Sequence, residues 1–179
     1  IEKAENNKDY ALLLSTCAGA WRYMIGDVIR FVDVEHANII ISGRTKHFLS
    51  LVGEHLSVDN MNKAIEHLSQ VLDIEIPEYM VTGIPYEGTF AHQWYLGTNK
   101  AFDVDKARKI LDDKLKEVND DYAVERISAL KDVFVQAVPS EDFYEFMTQK
   151  GKMGGQNKFP RVMKSTQAEE WKSFLAGKI

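Results

Sequence analysis

The sequence predicts an α+β protein, in which a short region of β structure precedes helices packed on a β-sheet. Hydrophobic residues make up 45% of its 179 residues, which is enough to form a packed core. Residues 10–43 contain short runs rich in Val and Ile, a composition typical of strands. Beyond residue 48, strand-like runs alternate with segments whose apolar residues recur every three or four positions, as in helices.

The first part of the chain is predicted to end in a β-hairpin. Tyr10–Ser15 is an apolar run, and the strand-like runs Val28–Val34 and Asn38–Ser42 are separated by a polar turn. The pattern breaks at Gly43–Lys46, where we place a domain boundary. Residues 1–45 are thus separated from residues 46–179, which are predicted to form a second domain.

The second part is predicted to be a ferredoxin-like sandwich, with two helices on one face of an antiparallel sheet. This prediction follows from its order of elements, β-α-β-β-α-β: a strand at 48–52, a helix capped by Ser57, strands at 74–82 and 89–96, a helix capped by Asp103, and a strand at 132–138. A helix that opens at Ser140 and closes at Gly151, a Gly-containing loop, and a C-terminal helix follow. Thr166 and Glu169 have the spacing of a capping box for that last helix.

Composition excludes several classes of protein. A net charge of −5 argues against a general nucleic-acid or anionic-membrane binder. The longest apolar stretch is far shorter than the ~18–20 residues of a membrane span. Cys17 is the only cysteine, so the chain forms no internal disulfide, and we expect a buried thiol in a cytoplasmic protein.

A basic segment near the end of the chain is the most informative feature for function. No Asp or Glu occurs between Phe146 and Ala168, and this window holds five positive charges, Lys150, Lys152, Lys158, Arg161 and Lys164. Glycines there would let backbone N–H groups approach a phosphate or carboxylate, while lysine supplies a point charge. A solvated basic surface loop is the alternative interpretation.

Other residues that could take part in catalysis or ligand binding give ambiguous signals. Asp27 follows a Gly and could accept hydrogen bonds from a sugar diol, or could be a turn residue bonded to its own backbone. Gly43-Arg44 is equally ambiguous in isolation. The five histidines show no ligand spacing with partners, so we predict no metal site.

Three segments, taken in order, resemble adenylate-forming enzymes. They are Tyr23-Met-Ile-Gly-Asp27, the run from Gly43 to Ser57, and Gly155-Gln-Asn-Lys-Phe-Pro-Arg161. The last segment resembles the Gretchen Hagen 3 family of auxin-responsive acyl-acid amido synthetases, which has bacterial relatives. The resemblance spans essentially the whole chain and implies the carboxyl-terminal third of a ligase that joins a carboxylic acid to an amino acid through an acyl-adenylate.

The resemblance also implies a role for individual residues. Asp27 would bind the ribose of ATP, Arg44 would contact the nucleotide, and Thr45 and Lys46 would be the hinge of a mobile C-terminal domain. Lys158 would bridge the α-phosphate and the substrate carboxylate, with Mg²⁺ as the cofactor. The hinge position often holds Asp elsewhere in the superfamily, whereas Lys46 stands here.

No phosphate-binding loop is recognisable in the sequence. The resemblance therefore implies that residues 1–45 are the tail of an N-terminal adenylation domain, that the rest of this domain in the same protein is the partner of this chain, and that the chain alone is inactive. Two alternatives remain at this point. One is a non-catalytic α+β module that binds an anion or a partner protein, and the other is an acyl-CoA ligase of the same superfamily.

Overall fold

The computed structural model describes residues 3–44, 48–151 and 158–178, apart from the side chains of Arg44, Phe48 and Ser165. The chain divides into two compact units. The first comprises residues 1–48 together with 57–59, and the second comprises residues 49–56 and 60–179.

The first unit contains an antiparallel three-stranded sheet. Its strands are β1 (Asp9–Leu14), β2 (Tyr23–Asp33) and β3 (Asn38–Arg44), arranged in the order β1-β2-β3. The predicted hairpin is present, because β2 and β3 pair across the turn at residues 34–37. Cys17 is exposed rather than buried, since β1 ends at Leu14 and the chain turns over the next residues.

Helices and a second three-stranded sheet make up the remainder of the chain. In chain order the elements are β4 (Phe48–Leu49), β5 (Leu56–Ser57), α1 (Val58–Leu72), β6 (Glu78–Tyr86), β7 (Thr89–Gly97), α2 (Val104–Val118), α3 (Asp120–Ser128), β8 (Leu130–Val138), α4 (Ser140–Gln149) and α5 (Ser165–Ala176). The predicted α+β class is therefore confirmed. None of these helices combines the length and the apolar composition needed to cross a bilayer.

Local signals at the helix ends are confirmed in two cases and wrong in one. The Asp103 carboxylate accepts a hydrogen bond from the backbone N–H of Lys106 at 3.0 Å and caps α2. Gly151, with φ +65°, donates its N–H to the carbonyl of Thr148 and closes α4. The capping box at the start of α5 is not formed, because that helix begins at Ser165 and Thr166 lies inside its first turn.

The arrangement of the strands differs from a ferredoxin-like sandwich. The segment expected to be the first strand contributes only β4, which pairs with β5 instead of entering the main sheet. The main sheet has the order β6-β7-β8, with β6 and β7 antiparallel and β7 and β8 parallel. The parallel pair follows from the connection, because α2 and α3 return the chain to the end of the sheet at which β7 began.

Helices cover both faces of the main sheet. The two helices of the predicted sandwich, α1 and α2, lie on one face as predicted, and the later helices α4 and α5 cover the other. The cluster on the first face joins α1 and α2 to Val81, Trp94 and Val133. On the opposite face, Met80 and Tyr95 pack with α4 and α5 in a second cluster that includes Trp171. Successive residues of a strand point to opposite faces, so the contiguous apolar residues of β6 and β7 require cover on both sides.

Candidate functional site

Lys158 lies on the surface of the second unit, immediately before a buried residue. Its side chain is exposed, whereas that of Phe159 is only 7% accessible. Within the described part of the chain, no hydrogen bond or ion pair of the Lys158 ammonium group is found. Because the side chain is exposed, an external anion can reach this amine.

An aromatic cluster fixes the chain directly after Lys158. The ring centroid of Phe159 lies 4.8 Å from that of Phe143 and 5.4 Å from that of Trp171, with Phe146 at 6.2 Å. These rings meet edge-on or tilted, which is the favoured arrangement for aromatic pairs. Phe159 thus holds the backbone of its neighbour against α4 and α5.

The next residues extend the main sheet along the free edge of β6. The backbone N–H of Val81 donates to the carbonyl of Arg161 at 2.9 Å, and that of Met163 donates to the carbonyl of Val81 at 3.1 Å. Val81 and Val162 accordingly form a parallel bridge. The hydroxyl of Thr82 also donates to the Met163 carbonyl at 2.9 Å. Residues 161–163 are therefore part of the folded core, although the sequence predicted a loop there.

Arg161 connects this segment to β6 through its side chain. Its guanidinium donates to the Glu78 carboxylate at 2.5 Å and to the carbonyl of Tyr79 at 3.1 Å. The same group lies 4.4 Å from the centroid of the Tyr79 ring, a cation–π contact. Burial is also the main reason that the pKa of Tyr79 is raised above its ordinary value.

The five positive charges of the basic window do not act as one cluster. Arg161 pairs with Glu78, and Lys150 pairs with Glu170 at 2.8 Å. Lys164 is exposed at the start of α5, and Lys152 lies outside the described residues. Sequence reasoning could not find these pairings, because the acidic partners stand outside the window and Glu78 is 83 residues away along the chain.

Asp27 and Arg44 are brought together in the first unit. They are register partners across β2 and β3, so two residues that the sequence marked separately lie side by side in the sheet. Asp27 is half-buried and lies within β2, not in a turn. The side chain of Arg44 lies outside what the structure describes.

Asp27 is part of a β-bulge. Ala11 pairs with Val28 and Leu13 pairs with Met24, so the single residue between them on β1 faces three residues of β2, from Ile25 to Asp27. Gly26, at the centre of the bulge, has φ +89°, a conformation that favours glycine. Bulges of this kind redirect side chains and recur beside active sites. In this Gly-Asp pair, Gly26 thus adopts the backbone conformation of the bulge and Asp27 supplies a carboxylate.

Several predicted site residues fall outside the described residues. Thr45 and Lys46, the predicted hinge, lie in the segment 45–47, and the Gly155-Gln-Asn part of the family-like motif lies in the segment 152–157. Among the residues that are described, no group of three His, Cys, Asp or Glu side chains is arranged to hold a metal ion.

A buried polar pair was missed by the sequence analysis. Glu54 and His92 are both fully inaccessible, and the Nε2 atom of His92 lies 3.0 Å from a carboxylate oxygen of Glu54. His92 and Trp94 lie two residues apart on β7 and therefore share a face, and nothing in the sequence indicated that His92 has a partner 38 residues earlier in the chain.

Comparison with known proteins agrees with this architecture. Residues 59–167 match the GH3 family C-terminal domain, and residues 1–41 match the GH3 family central domain. No curated protein matches the chain.

Two solved structures share the fold. A GH3.15 acyl acid amido synthetase is 21% identical over 98% of this chain and 34% of its own, with a TM-score of 0.75. AtGH3.15 acyl acid amido synthetase in complex with 2,4-DB is 21% identical over 97% of this chain and 33% of its own, with a TM-score of 0.70. This chain therefore spans about a third of the length of these relatives. The family matches extend over most of the residues, in the order central domain and then C-terminal domain, and the chain belongs to the GH3 family.

Proposed function

We propose that this chain is the carboxyl-terminal portion of an ATP-dependent acyl-acid amido synthetase, in which Lys158 is the catalytic residue. The observation that carries the proposal is the exposed Lys158 amine beside a backbone fixed by Phe159 and by the bridge to β6. An exposed ammonium group beside a backbone held in place by such contacts is suited to deliver a cation to a reacting phosphate.

The proposed reaction has two steps. An oxygen of the substrate carboxylate attacks the α-phosphorus of ATP, and the bond to the β-phosphate bridging oxygen breaks, so that pyrophosphate leaves with that electron pair. The amine of an amino acid then attacks the acyl carbon, loses a proton and displaces AMP, which forms an amide. Both reactants of the first step are anions, so a positioned ammonium group lowers its barrier.

The first unit would contribute to nucleotide binding. Asp27 would accept hydrogen bonds from the ribose hydroxyls of ATP, and Arg44, its register partner, would contact the same nucleotide. Thr45 and Lys46 would be the hinge between the units. Mg²⁺ would neutralise part of the triphosphate charge, but the described residues offer no metal cluster, so we assign it no ligand from this chain.

The partner in this proposal is the preceding part of the same polypeptide. Apolar side chains of the first sheet are about half exposed or more, among them Tyr23 at 60% and Ile41 at 70%, and Trp21, shortly before β2, is 82% exposed. Contiguous exposed apolar surface of this kind marks an interaction site. We propose that an N-terminal adenylation domain covers it in a cytoplasmic protein.

The first experiment measures each half-reaction in the complete protein. We expect carboxylate-dependent exchange of pyrophosphate into ATP, and we expect Lys158→Ala to reduce it ~10²–10³-fold. Transfer from a preformed acyl-adenylate should be affected less. Lys164→Ala is the matched control, because Lys164 is an exposed lysine of the same basic window, and it should leave both rates unchanged. Equal losses in both half-reactions for Lys158→Ala would contradict the assigned role.

The second experiment identifies the acceptor. A panel of amino acids and coenzyme A is offered to the complete protein together with a carboxylic acid and ATP. Amide formation with an amino acid is expected, whereas thioester formation with coenzyme A alone would overturn the amido synthetase assignment.

A further inference from the structure

We propose that Glu54 and His92 are positioning residues, which fasten residues 49–56 to the C-terminal unit so that domain rotation is confined to the chain before Leu49. The inference rests on the proposed function, since it states how motion at the predicted hinge would reach Lys158. It gives a role to Glu54 and His92, a buried pair that is not among the proposed substrate-binding residues.

The carboxylate of Glu54 organises its own loop. Its two oxygens accept the backbone N–H of Leu51 at 3.0 and 2.9 Å, and one of them also accepts the N–H of Val52 at 3.0 Å. Burial alone would raise the pKa of Glu54, but the hydrogen bonds from His92 and the backbone amides outweigh it and lower the pKa to about 2. The group is therefore an ionised acceptor that replaces water around the turn.

His92 joins this loop to the main sheet. Since an ionised Glu54 can only accept, Nε2 of His92 must donate, and the neutral ring then keeps Nδ1 unprotonated. That Nδ1 atom is buried without a hydrogen-bond partner. Burial lowers the pKa of His92, which agrees with a neutral ring. The ring lies 5.8 Å from that of Tyr122, and the charges of Asp112 and Arg126 act on it from the same side.

Apolar contacts hold the ends and the middle of the same loop. Leu49 is 4% accessible and Leu56 is fully buried. Leu51 packs over Gly83 of β6 so closely that a Cβ at Gly83 would lie 2.2 Å from a Leu51 methyl carbon. Gly53, with φ +120°, allows the turn between them. The loop accordingly groups with the second unit rather than with the sheet that precedes it.

A rigid loop immediately after a hinge has a mechanical consequence. Rotation about the proposed hinge would then carry the loop and the main sheet together, and the segment that supports Lys158 lies on the edge of that sheet. Were the loop flexible, the hinge would extend to Leu56, and the position of the amine would be less well defined.

Amide hydrogen exchange of the 179-residue chain tests the fastening directly. In Glu54→Gln the neutral acceptor binds the amides more weakly, so we expect the Leu51 and Val52 amides to exchange about tenfold faster. The Leu111 amide in α2 reports global unfolding and should change less. Glu66→Gln, at an exposed position on α1, is the matched control and should have no effect. Unchanged exchange at Leu51 and Val52 would overturn the inference.

A second variant covers the case in which Glu54→Gln does not fold. His92→Gln keeps an N–H donor for Glu54, and we expect it to accelerate the same two amides by a smaller factor. In the complete protein, Glu54→Gln should change the ratio of adenylation to transfer rates, and an unchanged ratio alongside faster amide exchange would refute the positioning role. Absence of pyrophosphate exchange in the unaltered protein would instead contradict the proposed function and leave the amide measurement valid.

Discussion

The contacts of Arg161 with β6 provide the sharpest test of how the Lys158 segment is held. The perturbation is Arg161→Ala, with Arg161→Lys as a conservative variant. The guanidinium makes three contacts, with the Glu78 carboxylate at 2.5 Å, the Tyr79 carbonyl at 3.1 Å and the Tyr79 ring at 4.4 Å. Arginine can make all three at once because it is planar and has several donors.

The expected loss follows from these contacts. A hydrogen bond to a charged group contributes about 1.5–3 kcal/mol, and a cation–π contact at an exposed site contributes about 0.5–1 kcal/mol. The Arg161 side chain is 28% accessible and that of Glu78 is 17% accessible, so solvent screens the pair only in part. We therefore expect Arg161→Ala to lower the free energy of unfolding by about 2–3 kcal/mol and Arg161→Lys by about 1 kcal/mol.

Urea denaturation followed by tryptophan fluorescence is a suitable assay. Trp94 and Trp171 are fully buried in the second unit, so their emission reports its unfolding, and linear extrapolation gives the stability of each variant. A double-mutant cycle with Glu78→Gln isolates the pairwise energy, which should be about 1–2 kcal/mol. The matched control is Lys150→Ala, whose partner Glu170 is 47% accessible, and its effect should stay below about 0.5 kcal/mol.

A coupling energy indistinguishable from zero would refute this reasoning. It would mean that the backbone bridge at Val81 and the aromatic contacts of Phe159 hold the segment without help from Arg161. A loss for Lys150→Ala as large as that for Arg161→Ala would be equally damaging, because the difference in burial would then have no energetic effect.

Three further predictions concern the second unit. The pKa of both Glu54 and His92 is lowered in the folded state, so the stability that each group contributes is lost on acidification. For His92 the loss begins below about pH 6.5, and for Glu54 it falls between pH 4.5 and about 2. Thermal melts over a pH series would show both losses. Asp112→Leu should destabilise the chain by about 3–5 kcal/mol in urea titrations, because it leaves the half-buried Arg126 without its carboxylate. Glu87→Asn should raise stability by about 0.5–1 kcal/mol in the same assay, since Glu87 has φ +46° in a two-residue hairpin turn that favours Asn.

The strand boundaries illustrate how turn chemistry can be misjudged from a sequence. The sequence analysis ended one strand at residue 82 and began the next at residue 89, which left residues 83–88 as the connection between them. In the structure β6 continues to Tyr86, and Glu87 and Gly88 alone form the turn, both with positive φ. Pro85 is tolerated in β6 although proline lacks an N–H to donate, as expected for a strand near the edge of a sheet.

Apolar spacing and capping residues identified the helices, and with them the α+β class, because these signals act between residues a few positions apart. The buried residues of α1, from Met61 to Leu68, and those of α2, from Ala107 to Leu115, follow the predicted spacing. The helix α3 escaped prediction, because it is short and only Tyr122 of its residues is buried. The family resemblance likewise depended only on the order of three short motifs, the Gly-Asp, Gly-Arg and late lysine segments. Family membership is confirmed.

Tertiary structure alone decided which residues meet. The pairing of Asp27 with Arg44, the contact of Glu54 with His92 and that of Arg161 with Glu78 join residues between 17 and 83 positions apart. Composition shows that such residues can carry a charge, but it does not identify their partners. The partner of each residue depends on the order of the strands and on which side chains the fold buries away from water. The parallel return of β8 and the cover on both faces of the sheet arise in the same way, from packing of the whole unit rather than from any one segment.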